Sequence, residues 1–284
     1  MGKFLDKLRQ VSQVSSSGMG FLGARTPAQK PRPAAILVTL STADVAAAEA
    51  VAKAGADVVI VTDWRPSADI TQFKAALGNE AAGLVWGIDL RGAENGTAGA
   101  LQSAQTAGAS FAILGREEPA SVLVAARQLE TFELVIAVEP PADDLGLVML
   151  RAENLLPAVA ALLRTQFSPA EISKLTVGGF TRLRLLNESL RFPVLVPVTE
   201  APDEAQTRLL VRLGIHGIVL PGTNTSGASL AAQIQALKEH LEQAPTNDDD
   251  RPGVAIGGLM GAHTPSLEPD RTQPDQPPHE PGEE

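Results

Sequence analysis

Three stretches, KAGADVVIV (residues 53–61), TAGASFAIL (106–114) and RLGIHGIVL (212–220), share one pattern: a glycine that can end a helix, followed by an apolar strand. Gly55 and Gly108 are 53 residues apart, and Gly108 and Gly214 are 106 residues apart, which is twice that spacing. One strand plus one helix then takes about 26 to 27 residues. We therefore expect the three strands to be the second, fourth and eighth of a regular series.

Around these marks, near-continuous apolar strands alternate with helical segments from Ala34 to Ala244. Such strands indicate a parallel sheet covered by helices, which is the α/β class. Eight right-handed units close into a (β/α)8 TIM barrel, for which about 250 residues is typical. An open, doubly wound sheet is the alternative, although it usually has fewer units.

The sixth strand is the ambiguous element. LGLVMLR (145–151) is the more strand-like candidate but leaves too short a crossover after strand five, whereas LLPAVAALL (155–163) fits the spacing despite its proline. The second is favoured. The helix that follows should begin at Ser168 and Pro169 and should break at Gly178 and Gly179.

Two tails are expected to flank a barrel of residues 34–244. Residues 1–33 are a basic arm with an amphipathic helix, whose apolar face could plug the barrel or, through residues 1–14, contact an anionic membrane or a partner. Residues 245–284 carry nine acidic residues, two basic ones and eight prolines, which is typical of a disordered tail. Its apolar island, 252–263, is a candidate docking peptide for a protein partner.

Composition excludes several classes of protein. The 284 residues include no cysteine and no tyrosine, so thiolate chemistry and disulfides are excluded. A net charge of −10 argues against nucleic acid as the main partner. No apolar run reaches the length of a membrane span, and the N-terminus has no secretion signal, so a cytoplasmic protein is expected.

The active site of such a barrel lies at the carboxyl ends of the strands, where carboxylates and arginines dominate this sequence. Asp63, Asp89 and Glu139 could act as catalytic acid and base, or as ligands of one divalent ion such as Mg²⁺. Arg91 or Arg116 could clamp an anionic substrate. The alternative is that these side chains form ion pairs on the rim. No lysine ends a strand, and His216 precedes strand eight, so Schiff-base and histidine-base mechanisms lack candidates.

The stretch HGIVLPGTNTSGASL (216–230) is the other candidate site, because it joins strand eight to a helix. A helix N-terminus after strand eight can bind phosphate through backbone N–H groups. The expected binding residues follow one another in the loop: Gly222, Thr223, Asn224, Thr225, Ser226 and Gly227. The alternative is an N-capped turn without a ligand.

The segment GIVLPG…GASL resembles the strand-eight phosphate loop of triose-phosphate-isomerase-type barrels, with TNTS inserted. The rest of that family's pattern is missing: no lysine ends strand one, no histidine ends strand four, and no glycine pair follows strand seven. The general resemblance is to phosphate-binding, aldolase-type TIM barrels, and it implies the fold more than the activity.

The sequence is consistent with two functions. One is a lyase or isomerase that binds a small phosphorylated or carboxylated metabolite and uses carboxylate or Mg²⁺-assisted chemistry. The other is a non-catalytic barrel that binds or scaffolds partners through its tails.

Overall fold

The computed structural model describes residues 2–12, 30–65, 70–78, 84–92, 97–223 and 225–244. The strands are β1 (Ala35–Leu40), β2 (Val58–Val61), β3 (Val85–Asp89), β4 (Phe111–Leu114), β5 (Glu133–Val138), β6 (Ala160–Leu163), β7 (Val194–Pro197) and β8 (Gly217–Pro221). The helices are α1 (Lys3–Ser12), α2 (Val45–Ala54), α3 (Thr71–Leu77), α4 (Ala98–Ala107), α5 (Ala120–Gln128), α6 (Asp144–Ala152), α7 (Pro169–Ser173), α8 (Val177–Ser189), α9 (Glu204–Arg212) and α10 (Gly227–Gln243), with a 3₁₀ turn at Glu153–Leu155.

The eight strands form a closed parallel barrel in chain order, in which β8 pairs with β1. The expected (β/α)8 architecture is confirmed, and the open-sheet alternative is wrong. Closure follows from the sequence, because the strands are apolar on both faces and each is followed by a helix that covers the outer one.

The repeat that predicted the barrel corresponds to helix C-caps. Gly55, Gly108 and Gly214 have φ of 83°, 97° and 80°, the left-handed region that ends a helix and favours glycine. The N-cap of α2 is Asp44. Thr42 lies two residues earlier, and its backbone N–H and hydroxyl donate to Asp63.

The sixth strand lies in the favoured segment, at Ala160–Leu163. The rival segment, 145–151, is part of α6. The next helix begins as expected, with a reciprocal capping box between Ser168 and Glu171. Its break was placed wrongly at Gly178 and Gly179: the chain leaves the helix before Thr176, whose hydroxyl oxygen accepts the Gly179 N–H at 3.1 Å and starts α8.

The amphipathic helix α1 closes the end of the barrel at which the strands begin. Phe4, Leu8 and Val11 are buried in one cluster with inward-facing strand residues. The rings of Phe4 and Phe111 lie 4.2 Å apart between centroids. The expected plug therefore forms, and the apolar face that could have met a membrane is used inside the protein.

Residues 245–284, including the apolar island 252–263, lie outside the described residues, as does most of the basic arm after Ser12. Within the described part of the chain, no helix has the length and apolar character needed to cross a membrane.

Candidate functional site

The carboxyl ends of the strands open at the end of the barrel opposite α1, which we call the mouth. Alternate strand residues face the barrel interior, as the inner cluster of Leu37, Ile60, Ile113, Val135, Leu162 and Val219 shows. Continuing that two-residue period places Asp89, Glu139 and Arg164 on the inward side. Asp63 and Arg116 fall on the outward side, so the expected charged residues do not all converge on the interior.

Asp63 holds the loop between β1 and α2. Ser41 Oγ donates to Asp63 Oδ2 at 2.7 Å, and the Thr42 backbone N–H donates to Asp63 Oδ1 at 2.8 Å. Partial burial alone would raise the pKa of Asp63, but these hydrogen bonds outweigh it and the pKa is lowered. A carboxylate held ionised in this way suits a structural acceptor better than a general acid.

Asp89, the last residue of β3, is bound by Arg91. Arg91 Nη2 donates to Asp89 Oδ2 at 2.6 Å, and Arg91 Nε donates to Asp89 Oδ1 at 2.9 Å. This two-point pair neutralises both expected site residues at the edge of the mouth. The Asp89 side chain is 10% exposed and that of Arg91 is 31% exposed, so a ligand reaches the arginine more easily than the acid.

Arg164 was not among the sequence candidates, yet it follows β6 at the mouth. Its Nη1 donates to Glu117 Oε1 at 2.6 Å, and its Nε lies 3.6 Å from Glu139 Oε1. The hydrogen bond and charge of Arg164 lower the pKa of Glu117. The signal that could have found Arg164 is its place directly after a strand, which depended on locating β6.

Arg116, the other expected clamp, pairs with Glu153 in the 3₁₀ turn after α6, at 2.7 Å between Nη2 and Oε1. That contact directs it toward the outer layer of the barrel. Arg164 is therefore better placed than Arg116 to meet an anion at the mouth.

The carboxylates do not assemble into a metal site. Within the described part of the chain, no group of three or more His, Cys, Asp or Glu side chains could hold a metal ion. Asp63, Asp89 and Glu139 instead contact separate partners, namely the β1–α2 loop, Arg91 and Arg164. The expected three-carboxylate site for one divalent ion is not formed.

The loop after β8 leads into the long helix α10, whose N-terminus lies at the mouth. Ser226 is the N-cap of α10, and its hydroxyl oxygen accepts the Ser229 backbone N–H at 3.3 Å. The backbone N–H groups of Gly227 and Ala228, which lie between Ser226 and Ser229, have no hydrogen-bond partner among the described residues. This is expected at the first positions of a helix. Both are candidate donors to an anion. Asn224 lies outside the described residues.

The two loop glycines make close contacts within the barrel. The Gly222 N–H donates to the Thr39 carbonyl at 2.8 Å, and a Cβ on Gly222 would lie 2.4 Å from that oxygen. A Cβ on Gly227 would lie 3.2 Å from the Ala50 Cβ on α2. Glycine at 222 is thus required by packing of β8 against β1, so its presence is not by itself evidence for a phosphate site.

His216 lies at the amino end of β8, away from the mouth. Its Nδ1 accepts the Val194 backbone N–H at 3.2 Å, which joins β8 to β7. The expected position of His216 before strand eight is confirmed. Trp64 and Trp86 are 4% and 8% exposed and belong to the outer core.

The closed barrel of eight parallel strands, its outer ring of helices and the plug α1 define a TIM-barrel protein. The sequence matches no protein-family model and no curated protein. Solved structures match its fold over most of its length.

Three of these structures illustrate the likeness. Thiamine phosphate pyrophosphorylase from Pyrococcus furiosus has 14% identity and a TM-score of 0.53, with 74% of this chain and 96% of that chain covered. Tryptophan synthase from M. tuberculosis has 15% identity and a TM-score of 0.58, covering 85% and 99%. The 3-keto-L-gulonate-6-phosphate decarboxylase from Vibrio cholerae has 14% identity and a TM-score of 0.52, covering 73% and 98%. These matches confirm the TIM-barrel fold.

Proposed function

We propose that this protein binds a small phosphorylated or carboxylated metabolite at the mouth of the barrel. One observation carries the proposal: the amides of Gly227 and Ala228, without partners among the described residues, begin α10 where β8 ends. Two backbone donors and the positive end of a 17-residue helix form a binding place for an anionic group.

Arg164 and Arg91 supply side-chain cations at the same end of the barrel. Each is already paired with a carboxylate, so an incoming anion would compete with Glu117 or Asp89 for the guanidinium. Arg164 is 38% exposed and its contact with Glu139 is long, at 3.6 Å, which makes it the more available of the two. We assign Arg164 the clamping role that the sequence suggested for Arg91 or Arg116.

The reaction that fits this arrangement is that of a lyase or isomerase. The inward period of their strands supports Asp89 and Glu139 as the carboxylates that would exchange a proton with a ligand at the mouth, and Asp89 would do so after the ligand displaces Arg91. Mg²⁺ is often held by one or two carboxylates together with a substrate phosphate, so Mg²⁺-assisted chemistry would depend on the ligand. Two proteins of similar fold are named for phosphorylated compounds, which supports the ligand class.

A pair of variants at the N-cap tests the proposal. Asp and Asn are both good N-caps, so Ser226→Asp and Ser226→Asn should retain α10 while differing in one negative charge. Calorimetric titration with inorganic phosphate and sugar phosphates should show binding to the wild type and S226N, and binding at least about tenfold weaker to S226D. Equal affinities for S226N and S226D would remove the helix N-terminus from the site.

The second candidate function is a barrel without catalysis that binds or scaffolds partners through its tails. The observation that favours it is that Asp63, Asp89 and Glu139 are each engaged by neighbouring groups rather than grouped around a ligand. Thermal shift with phosphate, sugar phosphates, flavin mononucleotide and Mg²⁺ separates the two. A ligand at 100 times its dissociation constant stabilises by about 2.7 kcal/mol. No shift with any of them would favour the scaffold, with residues 252–263 as its first peptide to test.

A further inference from the structure

A cavity of about 530 Å³ lies at the amino end of the barrel, opposite the mouth. This open cavity is bordered by one side of α1, the end of α3, the start of β3 and the residue that ends α4. Its volume is within the range of small-molecule sites. We propose that this cavity binds a planar organic anion, at a site separate from the mouth.

The charges on the cavity wall favour an anion. Lys3, Lys7 and Lys74 line it, and Asp6 is the acidic residue among the described lining. Lys7 Nζ lies 3.9 Å from a carboxylate oxygen of Asp57, whose negative charge is already bound by the buried Arg32. The described lining therefore carries three lysines and one carboxylate, and Lys7 shares its partner Asp57 with Arg32.

Lys74 is the cation best placed to meet a ligand. It lies in the last turn of α3, and no ion pair joins it to another described residue. Its Nζ lies 3.6 Å from the position that a Cβ on Gly108 would take, so the ammonium group reaches across from α3 to the end of α4. The Lys74 ammonium group therefore lies along the cavity lining, next to Gly108.

The uncharged lining includes the polar residues Gln10 and Ser110, several apolar side chains and one aromatic ring. Trp86 is 8% exposed and Leu77 is 5% exposed, with Leu84 and Val85 half-buried beside them. The Trp86 ring is fixed from behind by Trp64, at 6.2 Å between centroids. A rigid apolar wall with cations on its border fits a molecule with a flat hydrocarbon part and one acidic group.

A competing explanation for the lysines is that they offset the partial negative charge of the helix C-termini at this end. That role requires no ligand, so binding itself must be measured. The protein contains two tryptophans and no tyrosine, which gives a local reporter. The wild type gives two indole N–H signals in the NMR spectrum, and the signal that disappears in Trp64→Phe belongs to Trp64, which assigns the other signal to Trp86.

The test titrates 2-naphthoate and its uncharged analogue 2-naphthalenemethanol into the wild type while the Trp86 signal is followed. Naphthoate should shift the signal saturably, and the alcohol should bind at least about fivefold more weakly. Lys74→Glu should weaken naphthoate binding by a similar factor. Lys238→Glu is the matched control, because Lys238 lies near Gly55 at the same end of the barrel but outside the cavity.

The proposal is overturned if naphthoate gives no saturable shift up to about 5 mM. It is also overturned if the alcohol binds as well as naphthoate, or if K74E and K238E have equal affinities. The variant S226D should leave naphthoate binding unchanged, since it alters the mouth. Failure of the phosphate site and failure of this cavity are therefore distinguishable.

Discussion

The carboxylate of Glu133 accepts the backbone N–H of Phe4 at 2.7 Å, a contact between residues 129 positions apart in the chain. The same carboxylate accepts the Leu5 N–H at 3.2 Å, so one side chain at the start of β5 caps the N-terminus of α1. A Cβ on Gly2 would lie 2.0 Å from Glu133 Cδ, so the chain approaches as closely as glycine allows. The plug at the amino end of the barrel depends on this contact.

The contact predicts a pH effect on stability. Burial raises the pKa of Glu133, and the hydrogen bonds from Phe4 and Leu5 offset this only in part. Because the folded pKa lies above the reference value of 4.5, the stabilisation linked to this proton is present below pH 4.5. It is lost as the pH rises through the folded pKa. Glu133→Gln does not ionise, so its melting temperature relative to wild type should increase from about pH 4 to pH 7.

Circular dichroism melts of wild type and E133Q at intervals across that range measure this difference. Glu171, exposed at the start of α7, provides the control, since its pKa is lowered by hydrogen bonds from the Ser168 backbone and hydroxyl. The melting temperature of E171Q relative to wild type should therefore decrease as the pH rises. A flat or falling difference for E133Q would show that Glu133 is not the titrating group.

Local signals in the sequence account for most of the fold. Gly55, Gly108 and Gly214 mark the repeat in the sequence because each helix ends in a backbone conformation with positive φ, which glycine adopts more easily than other residues. The strand β6 was hard to place because AALL at 160–163 is also a good helix sequence, and its pairing with β5 and β7 decides its conformation.

The candidate site was less predictable because its contacts join distant parts of the chain. Asp63 was identified as a strand-end carboxylate, but its partner Ser41 lies 22 residues earlier. Arg164 and Glu117 are 47 residues apart and meet only because the barrel brings β4 near β6. Residue type and strand position indicate which charges reach the mouth, whereas their pairing depends on side-chain geometry that the repeat does not encode.

Asp63 should contribute to stability rather than to chemistry. Asp63→Asn weakens the acceptors for Ser41 and Thr42, and we expect a loss of about 1 kcal/mol in the free energy of unfolding at pH 7. Since the folded pKa of Asp63 lies below 3.8, the stabilisation is present above that value and is lost as the pH falls through the folded pKa. Urea unfolding at pH 7 and pH 3 should show that the difference in free energy of unfolding between wild type and D63N is smaller at pH 3. Loss of phosphate binding in D63N with unchanged stability would contradict this assignment.

The loop glycines should differ in their tolerance of a methyl group. Gly222→Ala places a Cβ 2.4 Å from the Thr39 carbonyl oxygen, and overpacking of this kind costs about 1–3 kcal/mol. Gly227→Ala meets the Ala50 Cβ at 3.2 Å, which a small adjustment of α10 against α2 can relieve. Thermal unfolding should therefore show a clear loss for G222A and a smaller one for G227A. Equal losses would mean that packing against β1 is not what requires glycine at 222.

Substitution of Arg164 should affect anion binding at the mouth without a large effect on the stability of the protein. Its ion pairs with Glu117 and Glu139 are exposed, and pairs of that kind contribute about 0–1 kcal/mol. Arg164→Met should therefore leave the melting temperature within a few degrees of wild type. If Arg164 clamps an anion beside the N-terminus of α10, the same variant should weaken phosphate binding at least about fivefold.

The matched control is Arg184→Met, because Arg184 forms a similarly exposed pair with Glu188 on the outer helix α8. Calorimetric titration with inorganic phosphate should give wild-type affinity for R184M and reduced affinity for R164M. If S226D abolishes binding while R164M does not, the anion site consists of the α10 N-terminus without Arg164. If R164M instead unfolds while R184M does not, the Arg164 pairs stabilise the barrel, and the clamping role would have to pass to Arg91, the other arginine paired at the mouth.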